Sequence, residues 1–189
     1  MRITGGKARS IAIQSPKGSA TRPATDQMRE RIFSSLGDSV EGARCLDLFA
    51  GTGAYGLEAL SRGAAEVTFV EKHRGTVEII RKNIQAVQRA MDGQIGTQIL
   101  NKDVLGITLS PGTFDLIFID PPYPILQEVA PELMETTSLW SAHGLAIWEL
   151  PLATTLSHPK WTPVKRLGKG RGNSPSALIL QTVSGPYLA

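Results

Sequence analysis

Arg44-Cys45-Leu46-Asp47-Leu48-Phe49-Ala50-Gly51-Thr52-Gly53-Ala54-Tyr55-Gly56 is the stretch on which the fold turns. Cys45 to Phe49 reads as a buried strand. It runs directly into a Gly-x-Gly-x-x-Gly loop and then a helix over Tyr55 to Arg62, the context that gives such a loop its meaning. Glycines there let backbone amides approach a ligand, and the helix N-terminus favours polar or anionic groups. Outward from the loop, strand and helix patterns alternate. Val67 to Glu71 is a second strand; Val77, Ile80, Ile84, Val87 and Met91 mark a helix by their spacing; Ile95 to Asn101 and Phe114 to Asp120 are strands three and four. A helix over Leu126 to Thr136 and a strand over Leu145 to Glu149 follow, with later strands near Val164 to Leu167 and Ala177 to Thr182. Alternation of this kind predicts an α/β, Rossmann-like parallel sheet with helices on both faces.

The loop alone fits a dinucleotide and S-adenosylmethionine equally. Glu71, twenty residues after Gly51 and at the end of the second strand, can accept from both ribose hydroxyls of either. Asp103, just after the third strand, is placed to accept from the exocyclic amine of an adenine, although a loop cap is its ordinary role. Asp47 is a candidate for the methionine end of the cofactor. The deciding feature is Asp120-Pro121-Pro122-Tyr123 at the C-terminal end of the fourth strand, where open α/β sheets bind ligands. An exocyclic base amine is a poor nucleophile because its lone pair is delocalised. Asp120 and the Pro121 carbonyl can each accept one of its N–H groups and so direct the lone pair at a methyl carbon. Pro122 adds rigidity, and Tyr123 offers a ring on which a flipped base can stack. Jointly these residues point to S-adenosylmethionine, with Asp47, Phe49, Ala50, Gly51, Thr52, Gly53, Glu71, Lys72, Asp103 and Val104 as the candidate cofactor set.

The chain has 189 residues, enough for one α/β domain. We divide it into a basic hairpin-and-helix extension over 1–40 and a cofactor-binding catalytic domain over 41–189. Arg2-Ile3-Thr4 and Ser10 to Ile13, joined by Gly5-Gly6-Lys7, read as the hairpin. The helix is expected from Thr25 or Asp26 to Leu36, with Arg22, Arg29 and Arg31 on its exposed side. The net charge of +3 is unevenly spread: residues 1–40 carry seven Lys/Arg against three Asp/Glu, 41–150 eight against fourteen, and 151–189 five against none. Basic ends suit a polyanionic partner, because neutralised phosphates release counterions. No signal-like or membrane-spanning stretch is visible, which points to the cytoplasm. The single cysteine, Cys45, excludes a disulfide, and His73, His143 and His158 have no metal-ligand spacing.

Three blocks resemble the bacterial 16S ribosomal RNA (guanine-966)-N2 methyltransferase family. They are Arg2 to Gly6 with Thr21-Arg22-Pro23, Asp26, Arg29-Glu30 and Phe33; LDLFAGTGAYGLEALSRGA over Leu46 to Ala64; and the tetrad. The resemblance implies a seven-stranded, mainly parallel sheet with one reversed strand. It also implies a small-subunit particle or assembly intermediate as substrate, with Arg2, Lys7, Arg9, Arg22 and Arg29 facing the RNA; the chain is expected to act as a monomer. Ala24 and Gln27 depart from the family's usual Thr and Arg, and Lys165 to Gly172 lacks the aromatic usually found before its glycine. A DNA adenine-N6 or protein glutamine methyltransferase would share fold and cofactor but more often starts the tetrad with Asn. A nicotinamide-dependent dehydrogenase leaves the tetrad unexplained, and a nonenzymatic RNA-binding module would not need it.

Overall fold

The structure, a computed structural model, describes residues 1–15, 26–91, 93, 95–141 and 144–183. The expectations for Thr21 to Thr25, Arg22 among them, and for His143 lie outside the described residues. Seven strands form one sheet: β1 (Arg44–Leu48), β2 (Glu66–Val70), β3 (Gly96–Leu100), β4 (Leu116–Ile119), β5 (Leu145–Pro151), β6 (Trp161–Leu167) and β7 (Pro175–Thr182). Their order is β3-β2-β1-β4-β5-β7-β6, and only β7 runs against its neighbours. This is the Rossmann-like arrangement expected.

Among the described residues four α-helices cover the sheet: α1 (Asp26–Leu36), α2 (Ala54–Ser61), α3 (Arg74–Ala90) and α4 (Leu126–Trp140). Side chains alternate between faces along each strand. Cys45, Phe118, Ile147 and Ile179 therefore pack with Ile32 and Phe33 of α1, Leu57 of α2 and Ile80 of α3. Leu46, Ile117, Trp148 and Leu178 pack with Val129, Leu133 and Met134 of α4. All four residues of β4 are buried, as an apolar run covered on both faces should be. The weak signal for β6 has a physical reason. It is an edge strand with exposed residues, a register irregularity between Pro163 and Lys165, and a proline where only an edge tolerates one.

The first fourteen residues form a bridged turn rather than paired strands, with Arg2 opposite Ala12. Ile3, Ala8 and Ile13 join the same core as α1 and α2. The turn lies along the C-terminal half of α2. Its tip meets the C-terminal end of that helix, where the Lys7 amide donates to the Ser61 carbonyl at 2.7 Å and the Ala8 amide to Ser61 Oγ at 2.9 Å. Gly6 has φ +75°, and a Cβ there would lie 1.8 Å from the Ser61 carbonyl oxygen, so only glycine fits. Glu58 of α2 is the anchor. Its carboxylate accepts from the Thr4 amide (2.8 Å), the Thr4 hydroxyl (2.7 Å), the Gly5 amide (2.8 Å) and Arg62 Nε (2.8 Å).

Arg29 corrects the sequence reading. Expected on the exposed side, it is 0% exposed; its guanidinium donates to Asp26 and to the Arg2 carbonyl and lies 3.6 Å from Glu58. Oxygen acceptors from Asp26 on α1, Glu58 on α2 and the Arg2 carbonyl of the N-terminal turn outweigh solvation of the charge, which a helical period alone cannot foresee. In this conformation Arg29 is an internal ion-pair partner, not a phosphate contact.

Candidate active site

The C-terminal ends of β2, β1, β4 and β5 form a rim of carboxylates. Ile119 lies beside Leu48 on one side and Trp148 on the other, so Asp120, one residue on, stands between Phe49 and Glu149. Glu71 follows Val70, the β2 partner of Leu48. Side by side, strands two, one, four and five thus deliver Glu71, Asp47, Asp120 and Glu149 to one end of the sheet.

The glycine loop is tightly braced there. Phe49 has φ +57°, an uncommon conformation for a side chain of that size, and turns the chain off β1. Gly51 (φ +53°) and Gly53 (φ +77°) continue the turn into α2. A Cβ at Gly56 would fall 2.4 Å from Phe69 Cε1, so this glycine exists for close packing of helix on sheet. Glu71 holds the loop from the side: Gly51 donates to it at 3.0 Å and the His73 amide at 2.8 Å. An ionised carboxylate has about four acceptor positions, so two remain for a pair of ribose hydroxyls. Asn101 braces this corner by donating to the carbonyls of Glu71 (2.9 Å) and Lys72 (3.0 Å). Asp103 caps the turn after β3 by accepting from Leu105 at 3.2 Å, while Lys72 Nζ lies 3.6 Å from its other oxygen. Half-exposed, Asp103 combines the cap role with a face open to a ligand. Ala50 and Val104 are buried, and the latter packs in the α4-side core. A tight glycine loop, a carboxylate at the end of β2 and a second acid after β3 are a set that fits S-adenosylmethionine.

Asp47 is turned inward. It is 2% exposed and accepts from the Gly56 amide at 2.9 Å. Burial, with a smaller push from Glu71, raises its pKa to about 8 despite that hydrogen bond. Asp120 is half-buried, and it too is held well above the ordinary carboxylate range, first by burial and then by the negative charges of Glu149 and Asp47. Pro121 is buried, and Tyr123 is half-buried in a short 3₁₀ turn over Tyr123–Ile125 that leads into α4.

Two functional candidates escaped the sequence reading. Tyr55, at the start of α2, is 5% exposed, stacks on Phe118 with ring centroids 5.4 Å apart, and donates its hydroxyl to Glu149. Burial and the adjacent Glu149 and Asp120 charges push its pKa well above the tyrosine range. In the sequence Glu149 is only the end of a strand. It sits at the C-terminal end of β5 as Asp120 does on β4, and that positional rule could have singled it out.

The basic residues are dispersed. Arg2 is exposed near the start of α1, with its amide 3.5 Å from Asp26 Oδ1. Lys7 and Arg9 are exposed at the tip of the N-terminal turn, beside Ser61 and Arg62. That end of α2 leads into the N-terminal ends of β1 and β2, at the opposite rim of the sheet from Asp120.

Comparison with known proteins accords with this geometry. The fold and the rim residues together define a class I, Rossmann-like methyltransferase architecture. The family model described as "Conserved hypothetical protein 95" matches residues 1–173, and the chain belongs to that family. It is 36% identical over 124 residues to the Escherichia coli ribosomal RNA small subunit methyltransferase D, covering 65% of this chain and 60% of that protein. To the Haemophilus influenzae protein of the same name it is 30% identical over 175 residues, covering 90% and 89%. The solved structure of the E. coli candidate methyltransferase yhhF superposes with a TM-score of 0.78 at 27% identity, over 96% of this chain and 97% of that one.

Proposed function

We propose that the chain transfers a methyl group from S-adenosylmethionine to the exocyclic N2 amine of a guanine in 16S ribosomal RNA, acting on the small subunit or an assembly intermediate. The observation that carries this reading is Asp120 at the rim, followed by Pro121-Pro122-Tyr123 and flanked by the braced glycine loop. The relatives named as small-subunit rRNA methyltransferases support the substrate class.

The cofactor supplies an electrophilic methyl on its sulfonium sulfur. Glu71 and Asp103 would hold its ribose and adenine ends, and the glycines at 51 and 53 would let the backbone come close to it. Asp120 and the Pro121 carbonyl each accept one amine N–H, which localises the nitrogen lone pair out of the base ring. Tyr123 stacks on the flipped base, an interaction worth about 1–3 kcal/mol in comparable stacks. Holding the partners in line supplies most of the acceleration, since effective molarities of order 10⁵–10⁸ M follow from alignment alone. After transfer the nitrogen carries an extra proton. Asp120, its proton affinity raised by burial and by Glu149, is suited to take that proton and pass it to water. Among the described N-terminal cations, Arg2, exposed near the start of α1, is assigned to the RNA.

The test is incubation of the protein with labelled S-adenosylmethionine and small-subunit particles from cells lacking the modification, followed by mapping of the labelled base. Label at a guanine N2 is the expected result. Label on another base or on protein overturns the assignment.

A further inference from the structure

The basic residues of the C-terminal third have a place in the fold that their charge alone does not reveal. β6 runs parallel to β5, and β7 opens at Pro175 directly opposite Pro151, the last residue of β5. The β6–β7 loop, residues 168–174, therefore emerges at the same rim as Asp120. At about 4.7–4.9 Å per strand, two to three strand spacings place it roughly 10–15 Å along the rim from that carboxylate.

Residues 151–189 contain five Lys/Arg and no Asp/Glu. Two of the five are occupied: Lys160 pairs with Glu135, and Arg166 donates to the carbonyls of Leu152 and Thr154 and to Ser176 Oγ. Lys169 and Arg171 stand exposed on the loop with no ion pair among the described residues. The loop presenting them is built, not loose. The Leu152 amide donates to the Ser174 carbonyl (2.9 Å) and the Ala153 amide to the Gly172 carbonyl (3.0 Å). Ser174 Oγ accepts from the Arg171 amide (3.2 Å) and donates to its carbonyl (2.9 Å). Gly170 (φ +131°) has no room for a Cβ, which would lie 2.3 Å from Ser174 Oγ. A fixed turn carrying two unpaired cations beside an amine-methylating rim matches the phosphates that flank a flipped nucleotide.

We infer that Lys169 and Arg171 on the β6–β7 loop contact the substrate's phosphate backbone and hold the RNA strand across the rim. This rests on the proposed reaction for the identity of the polyanion. The experiment compares wild type with K169E/R171E and with the milder K169Q/R171Q. A matched control, K82E/R89E on the exposed face of α3, makes the same change in net charge. Binding to small-subunit particles is measured as a function of salt, and methyl transfer is measured on the same particles. The loop variants should weaken binding at least about tenfold and flatten the slope of log affinity against log salt by about 1–2, since each phosphate contact contributes about 0.7–0.9. KM for particles should rise while kcat at saturation and the S-adenosylmethionine Kd stay within about twofold of wild type. An unchanged salt slope, or an equal loss in the α3 control, overturns the inference. Loop-dependent RNA binding without any methylation would instead sink the proposed reaction and leave the loop's role standing.

Discussion

Replacing Glu58 with alanine tests how the N-terminal segment is tied to the catalytic fold. The Glu58 carboxylate is buried and receives hydrogen bonds from Thr4 (two), Gly5 and Arg62 at 2.7–2.8 Å, with the Arg29 guanidinium at 3.6 Å. Its loss leaves two backbone amides without their acceptor and a fully buried guanidinium beside fewer negative charges. Summing charge-assisted bonds at about 1.5–3 kcal/mol each would overshoot, because the freed Thr4 and Gly5 groups can regain water. Breaking a buried ion pair by deleting one partner gives the better scale, about 3–5 kcal/mol. For a chain of this length that corresponds to a fall in Tm of about 6–20 °C. Glu58→Gln keeps one acceptor and should lose roughly half as much. The damage should reach the cofactor loop. Asn83 of α3 donates both to the Gln14 carbonyl (3.0 Å) and to the Thr52 carbonyl (2.9 Å), so a loosened N-terminal segment loosens the glycine loop with it. Chemical denaturation gives the stability change, and calorimetry gives the S-adenosylmethionine affinity. A loss below about 1 kcal/mol in the alanine variant would refute the anchoring role.

Asp120→Ala and Tyr123→Ala should abolish methyl transfer while leaving S-adenosylmethionine affinity near wild type, whereas Glu71→Ala and Asp103→Ala should raise the cofactor Kd first; calorimetry showing equal losses would overturn that division. Glu149 adds a negative charge beside Asp120 and so raises its pKa. Glu149→Gln should therefore move the acid limb of the pH–rate profile to lower pH, and a limb that stays in place would remove Glu149 from the site's electrostatics. Asp47 titrates at about 8 in the folded chain against 3.8 for an ordinary aspartate. The folded state thus binds the extra proton between those values, and its stability should fall as pH rises from about 4 to 8. Asp47→Asn, which can still accept from Gly56, should flatten that decline in urea melts recorded across the range.

The glycine loop, the strand-end acids and the tetrad could be read from sequence because each is local. The spacing of Gly51, Gly53 and Gly56 and the apolar run before them are set within a dozen residues. The same locality explains what could not be read. Glu58 meets Thr4 across 54 positions, Tyr55 meets Glu149 across 94, and Arg29 meets the Arg2 carbonyl across 27. A helical period that assigns Met28, Ile32 and Phe33 to the core cannot tell that Arg29 goes with them, because the Arg2 carbonyl and Glu58 that receive it come from elsewhere in the chain. The basic loop over 168–174 carried its charge openly in the sequence. Its position follows only from β7 running backwards between β5 and β6, which brings the turn to the rim that carries Asp120.

That reversed strand also bears on how the protein is made. β7 is the last of the described strands, yet it lies inside the sheet, hydrogen-bonded to β5 on one side and β6 on the other. Until residues 175–182 leave the ribosome, the buried strand carrying Trp148 presents a bare apolar edge, and β6 has no neighbour to pair with. A nascent chain stalled at that point carries an open template for pairing with another chain. Completion of the sheet therefore waits on β7, and its insertion between β5 and β6 is the step that removes that open template.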